Sequence, residues 1–275
     1  MSLSFPGWDE GYILPDKPKG SIQLDFSSAY LAPNPDAETT TSDRAVILLT
    51  DDFGLPLKNP KLIADALAER LRCDVWVPDY FNGLNAIDLV PQRVLDQMTT
   101  WDKWRLKWKT ILPFIGAFWD SSPSVVDKRL ASFIALLKEK KGYKKIGAVG
   151  YSYGGAACIR LASTGLIDCA VICHPNLPSP SPSLAQVRAI CVPVSWVCAE
   201  SDHFFSNSIQ HQCKAELAGR KGTDRFVEFE FNEYKGTVHG FACRPNLEYP
   251  LLVESCKYAL DQTASWFEKT LVSES

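Results

Sequence analysis

Gly150-Tyr151-Ser152-Tyr153-Gly154-Gly155 stands directly behind an apolar run, Lys145 to Val149, and opens a helical pattern, Gly154 to Ser163. This is G-x-S-x-G between a strand and a helix, the context in which the motif carries chemistry. A serine hydroxyl projects over a sheet edge only from a tight, strained turn, and glycines beside it let neighbouring backbone come close. The small run Gly154, Gly155, Ala156, Ala157 then lets the helix pack against the strand, with its positive end under a developing oxyanion. The bland alternative is an ordinary glycine turn; strand, helix and small-residue run together favour the nucleophile.

Outward from this turn the chain alternates short strands with amphipathic helices. Ala45 to Thr50 is continuously apolar, as a strand buried on both faces should be. Asn59 is expected to cap a helix over Pro60 to Arg72, with Leu62, Ile63, Ala66, Leu67 and Leu71 at the 3.6 period. Asp74 to Pro78 reads as the next strand, and Ser124 as the cap of a helix through about Lys140. Strands follow at Cys169 to Cys173, Val192 to Cys198 and Phe226 to Asn232. Helical patterns lie at Ser206 to Leu217 and Pro250 to Leu271, and Ile22 to Ala32 reads as a leading antiparallel pair at the sheet edge. Such alternation predicts a mostly parallel central sheet with helices on both faces, in one α/β domain spanning residues 1–275.

Composition agrees. The 275 residues are 46% hydrophobic and 22% charged, which excludes disorder, collagen-like repeats and disulfide-stapled mini-proteins. With 29 basic against 32 acidic residues, no global basic field exists to hold nucleic acid or anionic lipid. The longest nearly apolar stretch, Ile190 to Ala199, is far short of the ~20 residues of a membrane span. Nine cysteines show no C-x-x-C pair or zinc spacing and read as buried, reduced thiols. The N-terminal sequence lacks a signal-peptide pattern and no N-x-[ST] sequon occurs, so a cytoplasmic protein is expected, with no metal or organic cofactor, as a monomer or homodimer.

A serine needs a base, and the base needs a carboxylate to orient it. In this strand-turn-helix setting the order along the chain is Ser, then Asp or Glu, then His. Of the four histidines, His239 lies in Gly236-Thr-Val-His239-Gly240-Phe241, read as a glycine-bracketed loop before the last helix, and is the expected base. Asp202 follows the strand Val192 to Cys198 and is the expected acid, with Glu200 as runner-up. His174, at the end of Cys169 to Cys173, precedes the acid and is expected to line the pocket instead. His203, adjacent to Asp202, is expected to point elsewhere, and His211, between Gln210 and Gln212, reads as a surface residue. Backbone N–H groups of Tyr153 and of the loop Asp51-Asp52-Phe53-Gly54 should form the oxyanion hole. That loop contains a literal D-F-G, but no phosphate loop or kinase catalytic loop accompanies it.

Together these pieces resemble the dienelactone hydrolase family of α/β-hydrolases from Ala45 onward. The motifs, in order, are Asp52-Phe53-Gly54-Leu55, Val77-Pro78-Asp79-Tyr80, Gly150 to Gly155, the Asp202 loop, and His239-Gly-Phe-Ala242 followed by Arg244. The resemblance implies Ser152, Asp202 and His239 as the triad, with backbone groups of Asp52 and Tyr153 as the oxyanion hole. It also implies Asp51 at an acidic position near the nucleophile and Arg244 as a partner for a substrate carboxylate. Phe53, Tyr80, His174 and Phe241 join these as expected pocket residues. Two departures stand out: the best-known members have cysteine in place of Ser152 and glutamate in place of Asp51. A serine must give its proton to the histidine, so hydrolysis of a small-molecule ester or lactone through an acyl-enzyme is implied more firmly than dienelactone itself. Acyl transfer on the same triad and a non-catalytic binding role are the alternatives.

Trp101, Trp104 and Trp108 fall at i, i+3 and i+7 in a stretch that also carries Lys103, Arg105, Lys107 and Lys109. One reading packs the tryptophans on the body with the cations reaching water. The other makes residues 85–123 a helical cap, with Trp104 and Trp108 as an aromatic wall over the substrate.

Overall fold

A computed structural model of the protein describes residues 13–37, 42–81, 122–177 and 184–272. The segment expected to form a cap, with Trp104 and Trp108, lies almost wholly outside the described residues; Pro123 already opens a long helix of the body.

Among the described residues, eight strands form one sheet in the order β1-β2-β4-β3-β5-β6-β7-β8. They are β1 (Ser21–Gln23), β2 (Ala29–Ala32), β3 (Arg44–Leu49), β4 (Asp74–Val77), β5 (Lys145–Tyr151), β6 (Cys169–Cys173), β7 (Val194–Ser201) and β8 (Phe229–Val238). The leading pair β1 and β2 is antiparallel, as expected, and from β4 onward every pairing is parallel. Among the described residues the α-helices are α1 (Asn59–Leu71), α2 (Pro123–Lys141), α3 (Tyr153–Leu161), α4 (Leu184–Ala189), α5 (Asn207–Ala218) and α6 (Pro250–Phe267), the last following β8. A π-helical turn, Glu268–Val272, follows α6.

The two-residue period of the buried strands divides the core. In β3, Val46 and Leu48 face α1 and α6, while Ala45, Ile47 and Leu49 face α2 and α3. In β6 the same alternation sends Cys169, Val171 and Cys173 to one face and Ala170 and Ile172 to the other. Helices therefore cover both faces, the arrangement a parallel sheet requires. Among the described residues, no helix is long and apolar enough to cross a membrane.

Several boundaries differ from expectation for physical reasons. Asn59 is not a cap; Lys58 takes that position. The buried Asn59 side chain instead donates to Cys243 O at 3.0 Å and accepts from Leu14 N at 3.0 Å, tying distant loops together. The cap of α2 is Ser122 rather than Ser124, because Pro123 supplies the first helical turn. The last two strands start and end later than the apolar runs suggested. Phe226 is held in a turn, its N–H donating to Thr223 O at 3.2 Å, and β8 continues through Gly236-Thr-Val. There Tyr234 pairs with Ala199 but Val238 pairs with Ser201, so extra residues of β8 bulge opposite Glu200. Gly236 adopts φ +72 within the bulge, a conformation that favours glycine.

From β3 the chain runs outward to β4, then returns through α2 to β5 on the other side of β3. The carboxyl ends of β3 and β5 thus flank the point where the winding reverses, and such a point opens a crevice for ligands.

Candidate active site

Ser152, His174, Asp202 and His239 are each the first residue beyond a strand, namely β5, β6, β7 and β8. Parallel strands end on a common edge, and register does the rest. Tyr151 pairs with Cys173, which sets Ser152 beside His174; Ser201 pairs with Val238, which sets Asp202 beside His239.

Ser152 sits at φ +52, ψ −111 and is 2% exposed. A non-glycine residue held there stores roughly 1–3 kcal/mol of strain, tolerated only where the surroundings over-determine it. They do. Ser152 N–H donates to Cys173 O at 3.1 Å, Gly154 N–H to Thr50 O at 3.1 Å, and Ser152 O accepts from Ala156 at 3.1 Å and Asn176 at 2.9 Å. The approach is close enough that a Cβ on Gly154 would lie 2.4 Å from Leu49 O, and one on Gly150 would lie 2.0 Å from Gly154 O.

The Ser152 hydroxyl lies 2.8 Å from His239 Nε2, and His239 Nδ1 lies 2.9 Å from Asp202 Oδ2. Asp202 is 7% exposed. Its other oxygen, Oδ1, accepts from the amides of Phe204 at 2.8 Å and Phe205 at 3.0 Å, which fixes the carboxylate in place. An anion on Asp202 selects the tautomer with a proton on Nδ1, leaving the Nε2 lone pair to accept the serine proton. Phe204 and His174 each meet the His239 ring edge-to-face, at 4.9 and 5.0 Å between centroids.

Glu200, the runner-up acid, has a different task. Its carboxylate accepts from Gly236 N–H at 2.8 Å and pairs with Lys235 at 3.2 Å, holding the β8 bulge that aims His239. The sequence reading also missed Gln210. Noted only as a neighbour of the surface residue His211, it is 5% exposed, and its amide donates to Ala199 O at 3.1 Å and Phe205 O at 2.9 Å, bracing the turn that carries Asp202. Only its place on the buried stripe of α5, three residues before Cys213, could have signalled this. His203 and His211 are exposed, as expected.

The acidic loop after β3 departs from expectation. The side chain near the Ser152 hydroxyl is that of Asp52, whose Oδ2 lies 3.4 Å from Ser152 Oγ. Burial, followed by the charge of Asp51, raises the Asp52 pKa, with His239 opposing. Asp51 is turned the other way: its Oδ2 accepts from Arg244 Nε at 2.5 Å and its Oδ1 from Phe53 N–H at 3.2 Å. Arg244, expected to meet a substrate carboxylate, is thus paired within the protein, and its guanidinium lies 4.1 Å over the Phe53 ring.

Tyr80, expected to line the pocket, is 2% exposed and donates its hydroxyl to Thr50 O at 2.6 Å. It braces the end of β3 and stacks with Tyr153 at 6.3 Å. Phe241 is buried between His174 at 5.7 Å and Tyr234 at 5.1 Å. His174 itself is fully buried at φ +32. Neither ring nitrogen has a hydrogen-bond partner among the described residues, and burial, with His239 next to it, pushes its pKa well below 6.5.

A model of the dienelactone hydrolase family matches residues 28–271. The hydrolase pyvD of Aspergillus violaceofuscus is 28% identical over 88% of this chain and 86% of its own length. The hydrolase tropI of Talaromyces stipitatus is 27% identical over 94% of each. Among solved structures, a putative dienelactone hydrolase from Klebsiella pneumoniae superposes with a TM-score of 0.63 at 16% identity, covering 88% of this chain and 92% of that one.

Proposed function

This chain belongs to the dienelactone hydrolase family of α/β-hydrolases, and from that premise we propose that it hydrolyses an ester or lactone through an acyl-enzyme on Ser152. One observation carries the reading: an unbroken relay from Ser152 Oγ through His239 to Asp202, with links of 2.8 and 2.9 Å. It starts at a serine held in a strained turn over the sheet edge.

In the proposed sequence His239 Nε2 takes the hydroxyl proton as Oγ attacks the carbonyl, and Asp202 stabilises the imidazolium that forms. The backbone N–H groups of Tyr153 and Asp52 receive the oxyanion, helped by the positive end of α3. His239 then returns its proton to the departing alcohol, or to the ring oxygen of an opened lactone, leaving the acyl group on Ser152. Water enters, loses a proton to His239 and attacks the acyl carbonyl; the acid is released and the serine hydroxyl is restored.

The test is intact-mass spectrometry after treatment with a small fluorophosphonate, paired with release of 4-nitrophenol from short-chain esters. The parent protein should gain one adduct, which Ser152→Ala should abolish and His239→Ala slow strongly. Ester turnover should fall by about 10⁴-fold or more in either variant, because the groups of a triad act as a unit. A folded parent with no adduct and no turnover would sink the hydrolase reading and bring a binding role forward.

A further inference from the structure

His174 is the first residue beyond β6, and the turn it opens is stitched to the Ser152 turn on both sides. Ser152 N–H donates to Cys173 O at 3.1 Å and Asn176 N–H to Ser152 O at 2.9 Å, while His174 N–H donates to Val197 O at 2.8 Å. From the α3 side there is no slack, since a Cβ on Gly155 would lie 2.9 Å from Cys173 O and 3.0 Å from Pro175 Cα. His174 is thereby held at φ +32, although the proline that follows favours an extended backbone before it. Its fully buried ring is wedged, by centroid distance, against Tyr151 at 6.1 Å, Phe241 at 5.7 Å and the imidazole of His239 at 5.0 Å. Unpaired buried nitrogens and a left-handed backbone both cost stability, so this imidazole does not serve to hold the fold together.

We propose that His174 is a positioning residue for the reaction at Ser152: its imidazole stabilises the positive charge that His239 gains when it takes the serine proton. This role rests on the proposed hydrolysis and adds a residue to its machinery. A protonated His174 would need acceptors for two N–H groups, and among the described residues neither nitrogen has a partner. The ring is therefore neutral, with one N–H and one lone pair; burial and the neighbouring His239 act in the same direction. Because no hydrogen bond fixes its tautomer, the proton settles on the nitrogen farther from a cation, and the lone pair faces that cation. A dipole held in a buried site beside a developing charge needs no reorganisation at the moment of reaction. The other groups whose charge reaches this pair are Asp202 at His239 Nδ1, Asp52 acting on His239, and Arg244 acting on His174. Asp202 answers the charge at one nitrogen of His239; His174 answers it across the ring.

The test follows phosphonylation of Ser152 by the fluorophosphonate, read by intact mass, together with kcat and KM for 4-nitrophenyl butyrate, across a pH series. Near-UV circular dichroism confirms the fold at each pH. In His174→Leu and His174→Phe the plateau of both rates should fall by about tenfold, less than the loss of a hydrogen-bonded donor. KM should stay within about twofold of the parent's, since the charge develops only in the transition state. The acid limb should meanwhile move to lower pH, because the protonated ring of His239 has lost a stabilising neighbour. A slower enzyme that keeps working at lower pH is a signature that loosened packing does not produce. His174→Gln, whose uncharged amide can turn its oxygen toward His239, should recover most of the rate and bring the limb back toward the parent's. An acid limb unmoved or moved to higher pH in the leucine and phenylalanine variants would overturn this role, as would parent-like plateau rates in His174→Phe. Either result with a parent that takes the fluorophosphonate on Ser152 overturns the role of His174 alone. A parent that takes no fluorophosphonate on Ser152 overturns the proposed hydrolysis, and this role with it.

Discussion

His174 shows how much one side chain beside His239 can be asked to tolerate. A buried polar atom without a partner costs roughly 1–3 kcal/mol, and this ring has two such nitrogens in a left-handed backbone conformation. Its depressed pKa makes the cost depend on pH. Below its ordinary value of 6.5, the unfolded chain binds a proton that the folded chain refuses. Stability is then lost as pH falls, at up to ~1.4 kcal/mol per pH unit for one proton, and is fully present above 6.5. His174→Leu should therefore unfold at a temperature no lower than the parent at pH 7.5. It should also lose less of that temperature between pH 7 and pH 5, which thermal unfolding across a pH series would show. A steeper loss in the variant would mean that the imidazole is partnered in the folded protein.

At the scale of elements, the site depends on how tightly β5, α3 and β3 approach one another. A Cβ on Gly154 would meet only the backbone of Leu49 and Thr50 at its nearest contacts, so a methyl group there has no flexible side chain to displace and must push β3 away from α3. Gly154→Ala is expected to destabilise the fold by at least the ~1–3 kcal/mol typical of overpacking. Activity should fall further than stability explains, because Asp52 and its amide ride on the end of β3. Urea unfolding and ester kinetics on the same preparation would check this; a variant with unchanged stability would contradict the packing. This part was legible in the sequence, since a run of glycine and alanine opening a helix behind a buried strand has few other uses. The β8 bulge was not. Gly236 and Glu200 lie 36 residues apart in the chain, and only the pairing of β7 with β8 shows that one needs the other.

For the molecule as a whole, the thiols report on the packing of the described body. No disulfide joins the nine cysteines; seven are buried, Cys256 is half-buried and Cys191 is exposed. Burial pushes the thiols of Cys73, Cys169, Cys213 and Cys256 up to about 12 and those of Cys158, Cys173, Cys198 and Cys243 higher. Iodoacetamide should thus label Cys191 first in the folded protein and all nine only after denaturation, as peptide mass mapping would read; fast labelling of Cys173 or Cys243 would mean the sheet is open. Strand and helix alternation, the antiparallel leading pair, the tight turn at Ser152 and the order Ser152, Asp202, His239 were all set by the sequence itself. They rest on short-range facts: the period of buried residues, the glycines around a serine, and the rule that parallel strands end on one edge. Which of two neighbouring aspartates faces the serine, that Arg244 is paired within the protein, and that Gln210 and Glu200 hold the loops of Asp202 and His239 were decided only by the tertiary structure. A side chain beyond a strand end takes its direction from the turn and from partners far along the chain, 193 residues away for Asp51 and Arg244, and no local pattern encodes such a meeting.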